Sequence, residues 1–375
     1  MPLLSSPHTD TAKRRRAQFH PLTVAHVERL TDDAVAITFT VPDELRESYR
    51  YEPGQHLTLR ATIGGEEVRQ SYSICLAPSE AERTGTLRVA SARVQGGRMS
   101  NWLNDSVAAG DVLDVMTPLG TFTCPTRPDG IRHHLAIAAG SGITPVLSLL
   151  TTVLEEEPGS RVTLLFGNRR TASVMFLEEL ENLKNRYLGR FQLVNVLSRE
   201  PQDVELFTGR LDVERIGRIL EVLAPIETVD EWYLCGPYGM VTGAQELLRD
   251  AGVDGRHVHH EIFHVAEQES PRQEVVVDES APPAAVVTVN LDGRTTRVEM
   301  PTKDETILNA TLRSRPDAPY SCTGGVCGTC RARLVSGEVR MDRNYALEPE
   351  EVAAGMVLAC QSHPVTDEVS LDYDA

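Results

Sequence analysis

The sequence predicts a multidomain fold: an antiparallel six-stranded β-barrel, a doubly wound α/β domain, and a small C-terminal domain built around a cysteine loop. Three observations predict it. Up to about residue 125, apolar residues recur in short alternating segments, the period of strands. From about residue 131, apolar strands alternate with helical stretches, the pattern of a parallel sheet. Four of the seven cysteines fall in the last stretch of the chain. The expected divisions are a disordered tail over 1–18, the barrel over 19–128, the α/β domain over 129–263, a linker over 264–285 and the last domain over 286–375.

In the first block the expected strands are 22–27, 34–41, 56–63, 70–76, 87–94 and 112–116, with one short helix over 99–107. Pro53-Gly54 and Gly64-Gly65 supply turns between them. The second block reads strand 134–139, helix 145–156, strand 161–166, helix 174–187, strand 191–197, helix 213–224, strand 231–235 and helix 238–251. Residues 264–285 are rich in Glu, Pro and Ser, a linker composition. The third block opens with strands 286–291 and 295–300 joined by Asp292-Gly293, a hairpin signal. A short helix over 306–313 precedes the cysteines.

Composition narrows the function. A length of 375 residues with 41% hydrophobic content supports two or three cores at about 150 residues per domain. A net charge of −17 excludes a general nucleic-acid binder, which needs a basic footprint. No run of 18 apolar residues occurs, so no membrane span is expected. The basic run Lys13-Arg14-Arg15-Arg16 is not followed by a signal-peptide core, and a cytoplasmic location is expected. Seven cysteines, odd in number and unevenly spread, do not make a secreted disulfide framework.

Cys322, Cys327 and Cys330 stand in a Cys-x4-Cys-x2-Cys run, and Cys360 follows after 29 intervening residues. That is the plant-type [2Fe–2S] spacing. Two irons need four thiolates, and Gly324, Gly325 and Gly328 let one loop wrap the cluster. The alternative is zinc, whose structural sites usually pair two close cysteine pairs.

Gly140, Gly142, Thr144 and Pro145 lie in Gly-Ser-Gly-Ile-Thr-Pro between an apolar strand and a helix. In that setting the turn reads as a phosphate cradle at a helix N-terminus. A plain strand–helix turn is the alternative. Arg169 and Arg170 follow the next strand, where arginine suits the 2′-phosphate of NADP and an acid would suit NAD. A solvated basic loop would look the same. Cys235-Gly236-Pro237 ends a later strand, leaving room for a flat ring, although a buried cysteine is often only packing. Cys75 and Cys124 have no such context and read as packing.

Tyr72 and Ser73, in Arg69-Gln70-Ser71-Tyr72-Ser73, offer a ring to stack on a flavin and hydroxyls to bond it. Arg98, Met99 and Ser100 open a helix after Gly96-Gly97 and could hold a diphosphate through backbone N–H groups. On composition alone the signal is weak, because strand tyrosines are usually core or surface packing.

Together these blocks resemble the ferredoxin–NADP⁺ reductase-like flavoproteins fused to a plant-type ferredoxin. The resemblance covers nearly the whole chain from Phe19. Within that group the chain most resembles the reductase subunits of phenylacetyl-CoA epoxidase systems. The resemblance is carried by Phe19-His20, by Pro53-Gly54-Gln55-His56-Leu57-Thr58-Leu59, by the glycine turn and Gly167-Asn168-Arg169. Met341-Asp342-Arg343-Asn344-Tyr345-Ala346-Leu347-Glu348, Cys360-Gln361-Ser362 and the closing Leu371-Asp372-Tyr373-Asp374-Ala375 carry it further.

The resemblance implies a flavin-binding barrel, a nucleotide-binding α/β domain and a β-grasp [2Fe–2S] ferredoxin domain. It implies FAD against Gln70, Tyr72 and Ser73, with the diphosphate near Arg98, Met99 and Ser100. NADPH would lie across Gly140–Pro145 and Cys235–Pro237, with Phe263 near the flavin ring. The family pattern Arg-x-Tyr-Ser has arginine where this chain has Gln70. Arg69, one residue away, points to the other face of the strand.

The implied activity is an NAD(P)H-dependent oxidoreductase. Electrons pass from NADPH to FAD, then to the cluster, then to a multisubunit di-iron oxygenase that epoxidises phenylacetyl-CoA in phenylacetate catabolism. The cofactors carry the redox chemistry and the protein positions them. Two alternatives remain: the reductase of another oxygenase, of the 3-ketosteroid 9α-hydroxylase or Rieske type, and a non-catalytic redox carrier.

Overall fold

The computed structural model describes residues 17–264 and 283–375. Residues 1–16 of the expected tail and 265–282 of the expected linker lie outside the described residues. The Gln18 carbonyl already accepts a hydrogen bond from the Thr117 amide.

The first domain comprises β1 (Phe19–Thr31), β2 (Ala34–Thr40), β3 (His56–Ile63), β4 (Glu66–Ser73), α1 (Pro78–Thr84), β5 (Thr86–Ala92), α2 (Arg98–Asp105) and β6 (Val112–Met116). Its strands form one antiparallel sheet in the order β4-β3-β6-β1-β2-β5. A bridge between Ile74 and Val89 joins the two edges and closes the barrel. Strand alternation sends Leu57, Leu59, Val89, Leu113 and Val115 inward. α1 is not among the elements expected from periodicity. It begins on Pro78, whose missing N–H costs nothing there, and ends on Gly85 at φ +67°.

The second domain comprises β7 (His133–Ala139), α3 (Ile143–Glu156), β8 (Arg161–Asn168), α4 (Leu177–Arg186), β9 (Phe191–Leu197), α5 (Val213–Leu223), β10 (Glu231–Pro237), α6 (Tyr238–Asp250) and β11 (Val258–His264). All neighbours in its sheet, β11-β10-β7-β8-β9, are parallel. Of the 14 residues of α3, eleven are buried, because the barrel covers its outer side. Ala34, Cys75, Ala90 and Phe122 of the barrel join Val146, Leu149 and Leu150 of α3 in one core. The Ser148 hydroxyl donates to the Leu76 carbonyl at 2.7 Å, so the two domains share polar as well as apolar contacts.

The third domain comprises β12 (Ala285–Leu291), β13 (Arg294–Met300), α7 (Ile307–Ser314), β14 (Arg331–Ser336), β15 (Val339–Met341), α8 (Pro349–Ala353), β16 (Met356–Leu358), β17 (Ser362–Pro364) and β18 (Glu368–Asp372). A mixed sheet, β13-β12-β18-β14-β16, packs on α7 as a β-grasp, with Ile307, Leu308 and Ala310 in its core. The β12–β13 hairpin turns through Asp292 and Gly293, and the Asp374 carboxylate accepts from both amides at 2.8 Å.

This domain rests against both others. Arg69 on β4 donates to the Pro316 carbonyl at 3.4 Å and lies 4.2 Å over the Tyr320 ring. Tyr345 meets Tyr238 edge-on at 5.4 Å, and Glu348 pairs with His260 at 3.0 Å. Val326 and Tyr345 pack on the apolar core beneath α5 and α6.

Candidate functional site

Cys322, Cys327 and Cys330 occupy the loop between α7 and β14, and Cys360 lies between β16 and β17. The Ala359 amide donates to the Cys330 carbonyl at 3.1 Å and brings the fourth cysteine to the loop. The thiols form two pairs. Cys322 contacts Cys327, whose amide donates to the Cys322 sulfur at 3.4 Å, and Cys330 contacts Cys360. Two pairs of thiols therefore suit two irons better than one tetrahedral zinc. Gln361 braces the loop by donating to the Thr323 carbonyl at 2.8 Å.

At the carboxyl ends of the parallel strands, β7 runs into the turn that starts α3. Gly140 has φ +53°, and a Cβ there would meet nothing within 4 Å, so the backbone is open to a ligand. Gly142 is needed for a different reason: a Cβ would sit 2.2 Å from the Cys235 carbonyl. Thr144 and Pro145 are buried, and the Thr144 hydroxyl caps the turn by donating to the Ser141 carbonyl at 3.0 Å. Cys235 is fully buried beside this turn, and burial holds its thiol well above the ordinary range. Gly236 is buried and Pro237 exposed. The β10–β11 register slips between Gly236 and Pro237, opposite Phe263, which packs partly buried against the core shared by the first two domains.

Glu261 is a site residue that sequence reasoning does not single out. It pairs with Cys235 in register and accepts a hydrogen bond from the Ser73 hydroxyl at 3.3 Å, across the barrel–sheet junction. Desolvation pushes its carboxyl up to about 8; the Ser73 bond opposes this and nearby Cys327 adds to it. The available signal is the Glu261-Ile262-Phe263 triplet, because residues two apart on a strand share a face. His56, opposite Ser73 in register, is a second such residue. It is 3% exposed, burial lowers its pKa, and its Nε2 lies 3.4 Å from the Thr329 hydroxyl.

On the barrel, the Tyr72 hydroxyl is buried near the Ser91 hydroxyl, and neither makes a well-formed hydrogen bond, which leaves capacity for a ligand. Gln70 is half-buried, two residues away. Arg69 faces the third domain, a contact that the one-residue offset leaves open. The Arg98 guanidinium donates to Glu66 and to the Ile63 carbonyl, both at 2.6 Å. Met99 packs into the barrel core, and the Ser100 hydroxyl accepts from the Val94 amide at 3.3 Å. Of Met99, the backbone alone is left to face a ligand, because its side chain is in the core. Arg169 and Arg170 are exposed after β8. Glu200 beside them accepts from both the amide and the hydroxyl of Thr171, at 2.9 and 2.7 Å.

Cys75 and Cys124 prove to be packing residues of the core beneath α3, where burial pushes their thiols to about 12 and about 11.

Family models match all three domains. An oxidoreductase FAD-binding domain matches residues 21–124, an oxidoreductase NAD-binding domain 136–246, and a 2Fe-2S iron-sulfur cluster binding domain 289–365. One component of the 1,2-phenylacetyl-CoA epoxidase of Escherichia coli (strain K12) is 42% identical over 357 residues, which is 95% of this chain and 98% of that protein. The chain belongs to the reductase family of oxygenase systems. A further relative is the ferredoxin reductase component of 3-ketosteroid-9-alpha-monooxygenase from Rhodococcus rhodochrous, 36% identical over 94% of this chain and 96% of its own. Among solved structures, phthalate dioxygenase reductase has the same fold. Its TM-score is 0.56 at 22% identity, covering 94% of this chain and 98% of that one.

Like its relatives, this family member is an NAD(P)H-dependent oxidoreductase with FAD, nucleotide and [2Fe–2S] domains. The residues fit those groups: paired thiols for the cluster, the buried Tyr72 hydroxyl for the flavin, the open Gly140 backbone for a nucleotide phosphate. No helix among the described residues is long and apolar enough to cross a membrane.

Proposed function

We propose that this protein is the reductase of a di-iron phenylacetyl-CoA epoxidase, drawing electrons from NADPH and acting in the cytoplasm. The observation that carries the partner is the 42% identity, nearly end to end, to the component of that system in Escherichia coli. The 36% identity to a 3-ketosteroid monooxygenase reductase favours the second reading, a different oxygenase partner.

When bound, the flavin accepts the electron pair of a hydride and the cluster forwards electrons singly. The chain's residues prepare that traffic. Gln70, Tyr72 and Ser73 present a barrel face to the flavin, and the amides at Arg98, Met99 and Ser100 receive its diphosphate. Gly140, Gly142, Thr144 and Pro145 shape the turn for the nucleotide phosphates. Gly236 and Pro237, with buried Cys235, leave space for the nicotinamide, and Phe263 shields the flavin side of it. Glu261 holds a proton at its carboxyl beside Ser73. Cys322, Cys327, Cys330 and Cys360 hold the cluster. NADPH over NADH rests on Arg169 and Arg170, since Glu200 is already engaged by Thr171.

Reconstitution tests the partner. Turnover with a purified phenylacetyl-CoA epoxidase should exceed turnover with a steroid or Rieske oxygenase, and the reverse order would replace the first reading by the second. Cys327→Ser should abolish cytochrome c reduction while leaving ferricyanide reduction through the flavin. Equal loss of both would contradict a linear chain.

A further inference from the structure

Thr329 sits between the cluster loop and the barrel. Its hydroxyl lies 3.1 Å from the Cys327 sulfur on one side and 3.4 Å from His56 Nε2 on the other. A cysteine that ligates iron is a thiolate with no proton to give, so it can only accept. Threonine has one hydroxyl proton. With that proton directed to the Cys327 sulfur, the Thr329 oxygen accepts from His56 in its Nε2–H tautomer.

The histidine is fixed for this task. Its backbone N–H donates to the Leu119 carbonyl at 2.8 Å, and its carbonyl accepts from the Leu119 amide at 3.0 Å. Its other ring nitrogen faces Gly120, where a Cβ would come within 3.0 Å. His56 belongs to the flavin domain and Thr329 to the ferredoxin domain.

We propose that His56 and Thr329 form a hydrogen-bond relay from the flavin domain to the cluster ligand Cys327, and that this relay makes the cluster easier to reduce while the two domains are docked. The inference rests on the [2Fe–2S] reading of the four cysteines. A hydrogen bond donated to a ligand sulfur draws off electron density and stabilises the more negative, reduced cluster. The step is the gain of one electron by the cluster from the flavin. Both relay protons stay on Nε2 and Oγ1, and no bond is made or broken. Undocking removes the His56 donor and leaves the cluster a better electron donor, which suits delivery to an oxygenase.

The test is an EPR-monitored redox titration of the cluster in the full-length holoprotein, with iron content matched between variants. Thr329→Val removes the hydroxyl, His56→Phe removes the Nε2–H, and Thr329→Ser keeps the hydroxyl. The first two should lower the cluster midpoint. At the wild-type midpoint each should raise the oxidised-to-reduced ratio roughly threefold to tenfold, the span of one hydrogen bond. Thr329→Ser should stay near wild type. Unchanged midpoints in both Thr329→Val and His56→Phe overturn the proposal. A shift in Thr329→Val alone also overturns it, because the bond would then be local to the loop. Should His56→Phe not fold, His56→Leu puts the same question. A wild-type protein without the [2Fe–2S] EPR signal would instead sink the cluster reading.

Discussion

Glu261 is where the three domains meet in one side chain. Its carboxylate accepts from Ser73 of the barrel, its register partner is Cys235, and it feels Cys327 of the ferredoxin domain. Desolvation holds its pKa at about 8 against an ordinary 4.5. The folded chain therefore keeps a proton that the unfolded chain releases, and stability falls with rising pH between those values before levelling off. Glu261→Gln is neutral in both states and lacks that slope. The melting temperature of the variant minus that of the wild type should grow from pH 5 to pH 8 and then plateau. A constant difference would place the carboxyl at its ordinary pKa. NADPH–ferricyanide reduction by the wild type should show an inflection near pH 8 that the variant lacks. Sequence inspection can name Phe263 but not Glu261 beside it, because the importance of Glu261 lies in a contact to a strand 188 positions away. Cysteine spacing needs no such contact, since iron chemistry writes the ligand set directly into the sequence.

At the scale of elements, periodicity locates β3, β6 and β9 to the residue, because apolar positions recur among polar ones within each short segment. β11 escapes because His257-Val258-His259-His260-Glu261 looks polar. His259 and His260 are mostly covered and pair with Glu231 and Glu348, while His257 pairs with Glu231 and stays half exposed. α4 begins three residues later than its pattern suggests, since Val174, Met175 and Phe176 are taken into the core and Phe176 turns at φ +59°.

Strand offset explains Arg69 too. It turns Arg69 away from the face that carries Gln70 and docks the ferredoxin domain through Pro316 and Tyr320. Arg69→Ala should weaken that docking by about 1–2 kcal/mol, the range for a desolvated cation–π contact. Cytochrome c reduction should fall while ferricyanide reduction holds, and a parallel fall in both would return Arg69 to the flavin site. The loop after β8 offers a second test at this scale. Replacing Arg169 and Arg170 by Ala should raise KM for NADPH about tenfold, one charge-assisted hydrogen bond to a phosphate, and leave KM for NADH nearly unchanged. An unaltered preference would remove the argument for NADPH.

For the whole molecule, the domain order is legible in the sequence because each domain has its own period or spacing, whereas their mutual placement is not. That placement depends on single contacts such as Tyr238 with Tyr345, His260 with Glu348 and His56 with Thr329, which no local pattern announces. It leaves the cluster loop covered by the domains that reduce it, so an oxygenase must approach a ferredoxin domain held by polar, aromatic and apolar contacts. The net charge of −17 then acquires a role beyond solubility. Long-range attraction between this acidic surface and a basic oxygenase face is screened over about 8 Å at physiological salt and about 3 Å at 1 M. Oxygenase-coupled turnover should therefore fall steeply as salt rises, through slower association. Ferricyanide reduction, which needs no protein partner, should change little across the same range. Cytochrome c would be a poor control, because that basic protein is itself attracted to an acidic surface. If coupled turnover is as insensitive to salt as the ferricyanide rate, the acidic surface is only solvated and the oxygenase is recognised by shape and apolar contact instead.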